Sequence, residues 1–380
     1  MDCPICRSHD TYPLPVPGRG QAVLSDGRVI ARPQAKQGCR RCGAAFHAAA
    51  LSAADVDAFY DREYSLAANS LATGEERAGA YADWIAATLG PLGEAKVLDV
   101  GCGSGALLEA LSSRNPGIAA VGLDPALAAD RPPSAGKPAL RRGRIESIGP
   151  DENFDLIVAV NVIEHIFRPV CFLMQLRQRL RPNGRIVVIC PAADPPNLEL
   201  LFFDHLTTFT CPALAMVAHQ AGLQILAHHF APPALGDFQL AVLAAGDHAP
   251  DIAAPPEALE SARIRHLDSW LRLDGNLARR TDGAPALRMF GAGEKAALLH
   301  AYAPLTWARV ELLAVDPSFD RWRFDRPIVS YGEVPPDPAR PMIVAVALDS
   351  QGRVAERLRR DGHAPVVWAD LIATSQRPPD

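Results

Sequence analysis

The sequence predicts an α/β protein with three consecutive parts, and three patterns carry this prediction. Two Cys-x-x-Cys pairs near the start predict a small cysteine-rich module over residues 1–60. A strand, a glycine-rich turn and a helix, in AKVLDVGCGSGALLEAL, predict a doubly wound, Rossmann-like core over residues 61–245. A similar run, PALRMFGAGEKAALLHAYA, predicts a smaller α/β domain over residues 246–380.

Composition excludes several broad classes. The chain has 380 residues, of which 48% are hydrophobic and 21% charged, as in ordinary globular proteins. With 38 Lys and Arg against 43 Asp and Glu, the formal net charge is −5, which argues against nucleic acid as the main partner. The sequence has neither a signal-peptide pattern nor an apolar run that could span a bilayer. We therefore expect a cytoplasmic protein without a membrane partner.

Four cysteines have the spacing of a metal site. CPIC and CRRC form two knuckles, and each knuckle aims two thiolates at one point. We expect a tetrahedral structural zinc on Cys3, Cys6, Cys39 and Cys42, with a redox pair or chance spacing as the alternatives. The other four have no partner spacing and are interpreted as buried thiols: Cys102, Cys171, Cys190 and Cys211.

The glycine-rich turn lies at the end of the first core strand, Lys96 to Val100. Glycines at 101, 103 and 105 let the chain turn sharply and let a ligand approach the backbone. Asp99 lies near the end of this strand, and Asp124 ends the next one. An acid at the position of Asp124 can accept hydrogen bonds from a ribose diol.

Two further runs complete the core. FDLIVAVNVIEHI contains a third strand, and a helix then leads to the strand of RLRPNGRIVVICP. The resulting order of strand, helix, strand, strand, helix and strand predicts a doubly wound parallel sheet.

In this order and spacing, VLDVGCGSG, VGLDP, FDLIVAVNVIEHI and RLRPNGRIVVICP resemble the class I S-adenosylmethionine-dependent methyltransferases. The resemblance implies that the cofactor is held by the glycine turn, by Asp99 and Asp124, and by Asn161 beside the donor methyl. Specifically, Gly101, Gly103 and Gly105 would line its methionine end and Asp124 would hold its ribose. Arg144 stands where many relatives have an adenine-binding aspartate, so adenine would contact Ile145 and Glu146 instead.

The segment FDHLTTFT places His205 after a core strand, on the rim where such sheets bind ligands. Together with the cysteine module and the C-terminal domain, it resembles bacterial C-methyltransferases of nucleotide-linked 4-keto deoxysugars. Those enzymes have a Glu-His pair where this chain has Asp204 and His205. The resemblance implies that His205 removes a proton beside the ketone, with Asp204 orienting it.

A carbon nucleophile also needs a hydrogen-bond donor at the ketone oxygen. Tyr64 is the candidate for this donor, and Tyr60 is the alternative. Glu164 and His165 have two interpretations, an acid and base pair or a structural pair that fixes the loop after the strand.

The C-terminal GAGEK turn also has two interpretations. Its backbone amides and Lys295 could bind a diphosphate, or the glycines could serve packing alone. Two departures from the sugar-methylating family put the substrate in doubt: Ala296 follows the lysine where the relatives have glycine, and the family's Trp-Asn signature is missing.

Three rival functions stay open. The first is an RNA methyltransferase, since residues 1–47 carry seven Lys or Arg against three Asp or Glu. The second is an oxygen or nitrogen methyltransferase that acts on a sugar or another small metabolite. The third is a protein that binds the cofactor without turnover.

Overall fold

The fold is taken from a computed structural model, which describes residues 2–18, 20–48, 71–134, 137–247, 255, 257–316 and 324–374. By their contacts the residues group into two units, one of residues 1–12, 37–195 and 205–257, the other of 13–36, 196–204 and 258–380. Each unit combines segments that are distant in sequence. These units do not correspond one to one to the three consecutive domains predicted from the sequence, and those domain boundaries stay a prediction.

The cysteine-rich part consists of very short strands. They are β1 (Thr11–Leu14), β2 (Ala22–Val23), β3 (Val29–Ile30), β4 (Lys36–Cys39) and β5 (Ala45–His47). Strands of two to four residues bury too little surface to fold alone, so this part depends on other links.

The core alternates helices and strands as the sequence predicts. Its elements are α1 (Leu71–Leu89), β6 (Lys96–Val100), α2 (Ala106–Arg114), β7 (Ala119–Asp124), β8 (Ala139–Arg142), β9 (Phe154–Val160), α3 (Pro169–Arg177), β10 (Leu180–Pro191), β11 (Thr207–Thr208), α4 (Cys211–Gln220), β12 (Leu223–Phe230) and β13 (Phe238–Ala245). Alternate residues of β9 enter different apolar clusters: Ile157 and Ala159 join one, and Leu156 and Val158 join the other. The sheet is thus covered on both faces.

The core sheet has seven strands in the order β12-β13-β10-β9-β6-β7-β8. The five strands from β10 to β8 run parallel, but β13 is antiparallel to both β10 and β12. The strands that the sequence predicted are parallel as expected, and the antiparallel edge of β12 and β13 was not foreseen. A short connection joins β12 to β13, and only antiparallel strands can be joined by such a hairpin.

The order of the chain reverses between β6 and β9. From β6 the chain moves outward to β7 and β8, and then crosses back to β9 on the other side of β6. Ligands of open α/β sheets bind at the carboxyl ends of the strands beside such a reversal. The turn of residues 101–105 leaves β6 at this place.

A small sheet with the order β1-β4-β5-β11 joins the cysteine-rich part to the segment after β10. Its last pair is antiparallel, with Thr207 opposite Phe46 and Thr208 opposite Ala45.

The second unit contains a five-stranded sheet. Its elements are α5 (Leu259–Arg280), β14 (Leu287–Phe290), α6 (Glu294–Tyr302), α7 (Pro304–Trp307), β15 (Val310–Val315), β16 (Ile328–Ser330), β17 (Met342–Val344), α8 (Gln351–Arg360) and β18 (Pro365–Val366). The sheet is parallel throughout, in the order β16-β15-β14-β17-β18. The predicted α/β character and the strand, turn and helix around Gly291 agree with this arrangement.

Among the described helices, none has the length and apolar character needed to cross a membrane.

Candidate active site

The turn after β6 has a backbone that only glycine adopts readily. Gly101, Gly103 and Gly105 have φ values of 76°, 54° and 91°, all in the left-handed region. A Cβ atom on Gly101 would lie 2.4 Å from Cγ2 of Val162, which belongs to the loop after β9. The turn therefore packs directly on that loop, and a side chain at 101 would push the two apart.

Asp124 closes the turn from the neighbouring strand. Its carboxylate accepts hydrogen bonds from the backbone amides of Gly103, at 2.9 Å, and Ala126, at 2.8 Å. Burial nevertheless raises the pKa of Asp124, because only 7% of the residue is exposed. The two amides fix the orientation of the carboxylate before any ligand arrives.

Asp99 is a second buried acid in the same region. Burial, reinforced by the charge of Asp124, raises the pKa of Asp99 to about 7. Two carboxyl groups this close to one backbone turn resist ionising together. A ligand that carries hydroxyl groups or positive charge would relieve this strain.

Asn161 follows β9 in a left-handed conformation, with a φ of 55°. Its backbone amide donates a hydrogen bond to the carbonyl of Ile189, and its side chain is a hydrogen-bond partner of the Tyr81 hydroxyl. Glu146, the predicted adenine contact, is exposed and accepts a hydrogen bond of 2.8 Å from Gln175.

Three ionisable groups converge next to this loop. Glu164 and His165 lie in a single helical turn after Asn161, and His205 comes from the segment before β11. The rings of His165 and His205 meet edge to face, with centroids 4.6 Å apart, and His205 is 5% exposed. One ligand atom from each of the three residues lies within 4.8 Å of the others, so the cluster could transfer protons or hold a cation.

Asp204 is oriented by Ser25. Its carboxylate accepts from the Ser25 amide at 2.8 Å and from the Ser25 hydroxyl at 2.6 Å. The sequence predicted that Asp204 orients His205. It did not indicate the hydrogen bonds from Ser25, which lies far away in the chain. The orienting role of Asp204 toward His205 stays a prediction.

The four predicted cysteines come together. Sγ of Cys3 lies 3.7 Å from Sγ of Cys42, and Sγ of Cys6 lies 3.5 Å from Sγ of Cys39. Four sulfur atoms at about 2.3 Å from a tetrahedral zinc ion are about 3.8 Å apart, so the spacing fits this metal. Hydrogen bonding from Cys42 lowers the pKa of Cys3 to about 5, which favours a thiolate there.

Among the remaining cysteines, Cys102 and Cys190 are buried as expected. Cys171 is exposed, so its interpretation as a buried thiol was wrong, and Cys211 is half-buried. Cys171 lies in helix α3, and the apolar residues around it in the sequence did not show that this position is exposed.

Sequence reasoning missed Tyr81 and Arg77 on helix α1. Arg77 donates to the Tyr81 hydroxyl at 3.1 Å, and its guanidinium lies over the ring of Phe238, 4.8 Å from the centroid. Burial raises the pKa of Tyr81, which keeps its hydroxyl protonated beside Asn161. The predicted donors, Tyr60 and Tyr64, lie outside the described residues.

The second unit has a cavity of about 270 Å³ at the GAGEK turn. It lies at the carboxyl ends of β14, β15 and β17, and its lining includes Gly291, Gly293, Lys295 and Asp316. The Lys295 ammonium is paired with Glu294, and Asp316 accepts two hydrogen bonds from Arg357.

The family model that matches this chain covers part of the core. Residues 73–228 match the family model described as a methyltransferase domain. The chain is 38% identical over 107 residues to a ubiquinone biosynthesis O-methyltransferase of Bradyrhizobium diazoefficiens, covering 27% of this chain and 42% of that protein. It is 33% identical over 100 residues to the mitochondrial ubiquinone biosynthesis O-methyltransferase of Schizosaccharomyces pombe, covering 24% of this chain and 36% of the relative. The chain thus spans less than half the length of these two relatives.

Solved structures give weaker similarity. The Burkholderia thailandensis 1,6-didemethyltoxoflavin-N1-methyltransferase is 19% identical, with a TM-score of 0.41 over 57% of this chain and 98% of that chain. CalO1, a methyltransferase of calicheamicin biosynthesis, is 20% identical, with a TM-score of 0.40 over 52% of this chain and 64% of that chain.

Proposed function

We propose that the chain transfers the methyl group of S-adenosylmethionine to an oxygen atom of a small molecule, since residues 73–228 match the family model of a methyltransferase domain. Sequence alone favoured carbon methylation of a nucleotide-linked 4-keto deoxysugar. The curated relatives instead favour oxygen as the acceptor atom, because their names describe O-methyltransferases.

The cofactor would lie across the turn of residues 101–105. Asp124, already oriented by two backbone amides, would accept hydrogen bonds from the ribose hydroxyls. Glycine at 101 and 105 lets the turn pack closely on Val162 and Leu140, because a Cβ atom at either position would lie 3.0 Å or less from those side chains. Arg77, exposed on helix α1, is the cation that we assign to the cofactor's carboxylate.

His205 would act as the general base. A hydroxyl attacks the sulfonium methyl group well only as it loses its proton. The O–CH₃ bond forms while the S–CH₃ bond breaks, the proton moves to the His205 imidazole, and S-adenosylhomocysteine leaves. A free histidine has a pKa near 6.5, so an ordinary imidazole accepts a proton at neutral pH. Glu164 and His165, which lie beside His205, would stabilise the positive charge of its protonated imidazole.

One observation supports this proposal most. The loop of residues 161–165 packs on Gly101 through Val162 and carries Glu164 and His165 to the His205 ring. A single loop thus joins the proposed methyl donor site to the proposed base. Such mutual placement of donor and base is what methyl transfer requires.

Carbon methylation of a nucleotide-linked 4-keto deoxysugar is the second candidate. The relatives match only about a quarter of the chain. The methyltransferase-domain model ends at residue 228, so the glycine turn and cavity of the second unit lie outside it. In such a reaction His205 would remove a proton from carbon.

The test is methylation in deuterated buffer with two acceptors, a dihydroxybenzene, which is the phenol of this test, and a nucleotide-linked 4-keto-6-deoxyhexose. Mass spectrometry and NMR of the products would locate the new methyl group. The proposal predicts a methyl ether on the phenol, lost in His205→Gln and retained in His229→Gln, a matched variant at an exposed histidine. A methyl group on carbon, with deuterium exchange beside the ketone, would replace the proposal by the second candidate.

We also propose that Cys3, Cys6, Cys39 and Cys42 hold a structural zinc ion, on the support of their sulfur spacing. The zinc would link two short knuckles that lack a core of their own.

A further inference from the structure

The cysteine module touches the chain immediately after His205. Strand β5 leaves the second knuckle and pairs with β11, which begins two residues after His205. The His47 amide also donates to the carbonyl of Leu206 at 2.8 Å. The backbone on the carboxyl side of His205 is therefore held by the last strand of the module.

Thr210 makes a second link between the same two parts. Its hydroxyl donates to the carbonyl of Cys42 at 2.6 Å, and the residue is 3% exposed. Gly43 follows Cys42 with a φ of 73°, and a Cβ there would lie 2.8 Å from the Thr210 methyl carbon. A shift of the Cys39–Cys42 knuckle would thus be transmitted to Thr210.

The core sheet holds this segment on its other side. The Phe209 carbonyl accepts from the Ala193 amide at 2.9 Å and from the buried side chain of Gln239 at 2.6 Å. These bonds do not involve the cysteine module. Loosening the module should therefore leave these two bonds in place while the residues around 205 move.

We propose that the cysteine module positions His205, with zinc fixing the second knuckle and β5 and Thr210 transmitting its position. Thr210 is a positioning residue, since it acts on the base through the backbone. The reason for such a device is that misplacing a reacting group by about 1 Å can reduce a rate about 100-fold. This positioning role rests on the proposed function of His205 as the base.

A module that served stability alone would behave differently. Its loss would lower cofactor affinity, thermal stability and turnover together. A positioning module loses turnover first, while the cofactor site, which is built on β6 and β7, keeps its affinity. Separate measurement of these quantities distinguishes the two roles.

The test compares Thr210→Val and Thr210→Ser in the full-length, zinc-loaded protein. Valine has the shape of threonine without the hydroxyl, and serine keeps the hydroxyl. We expect Thr210→Val to lower kcat about 10-fold or more, with the Kd of S-adenosylhomocysteine within about twofold of wild type, and Thr210→Ser to restore most of the rate. Unchanged kcat in Thr210→Val, or an equal loss of rate and affinity, would overturn the proposal.

Thr210 also begins helix α4 by accepting from the Ala213 amide, so a second measurement avoids the substitution. NMR of the histidine ring protons, assigned with His205→Gln and His229→Gln, follows zinc removal and its return. We expect the His205 signal to shift without zinc and to recover with it, while the His229 signal stays in place. A His205 signal that ignores zinc would contradict positioning.

This readout needs no acceptor. If no acceptor is methylated but the His205 signal follows zinc, the proposed function fails and the positioning stands.

Discussion

The imidazole ring of His205 meets the ring of His165 edge to face, with 4.6 Å between centroids and 85° between planes. Glu164, 1% exposed, lies next to His165 in the same turn. This cluster, in which Glu164 and His205 are buried and His165 is half-buried, joins a segment after β10 to the loop after β9, and that loop packs on the glycine turn. The arrangement makes His205 the residue whose replacement should be most informative.

His205→Gln should lower kcat about 100-fold or more and leave the KM for S-adenosylmethionine nearly unchanged. Glutamine fills similar space but cannot accept the proton, and general bases contribute about 10²- to 10⁴-fold. Steady-state kinetics at neutral pH would measure the loss, with His229→Gln as the control. Equal losses in both variants would show that His205 has no special role.

Gly101→Ala should weaken cofactor binding. The φ of 76° disfavours any side chain by about 1–2 kcal/mol, and the new Cβ would collide with Val162. Calorimetry with S-adenosylhomocysteine should give a Kd raised about 10-fold or more, and the variant should unfold at lower temperature. Gly149→Ala is the control, because nothing lies within 4 Å of its added Cβ. Wild-type affinity in Gly101→Ala would contradict the assignment.

Asp99 should make stability fall as pH rises. Burial and Asp124 raise its folded-state pKa to about 7 from an ordinary value of 3.8. The stability from its neutral form is complete below about pH 4 and is lost as pH rises through about 7, at most about 4 kcal/mol in all. Urea unfolding at about pH 5 and about pH 8 should show a smaller loss for Asp99→Asn than for wild type or Asp151→Asn. Identical losses in all three proteins would refute this prediction.

The cysteine cluster should bind zinc stoichiometrically. We expect about one zinc per purified chain and much less in Cys39→Ser, because a site that loses one of four thiolates binds far more weakly. Elemental analysis would measure the metal, with Cys171→Ser, a change at an exposed cysteine outside the cluster, as control. Zinc retained by Cys39→Ser would point to another site.

Local patterns carried much of the fold. The strand, turn and helix around Gly101 and the second set around Gly291 were readable because glycine spacing and apolar periodicity are local signals. The spacing of the cysteine pairs likewise predicted a cluster, and in the structure the two knuckles, which are distant in sequence, lie together. The antiparallel edge of β12 and β13 was missed because an apolar run does not reveal the direction of its neighbour.

Long-range contacts were beyond the sequence. Nothing near Asp204 indicates Ser25, and nothing near His205 indicates that β5 would pair with β11. Tyr81 looked like an ordinary apolar position of helix α1, and only the fold shows its hydroxyl beside Asn161. Such pairs depend on how distant segments pack, which no local pattern encodes.

The most direct measurement follows a labelled methyl group. The protein would be incubated with S-adenosylmethionine carrying a CD₃ group and with the dihydroxybenzene. The products would be analysed by mass spectrometry. We expect a CD₃ ether on the phenol together with S-adenosylhomocysteine, with both greatly reduced in His205→Gln. Binding of S-adenosylhomocysteine without transfer to any acceptor, or undiminished transfer by His205→Gln, would contradict it.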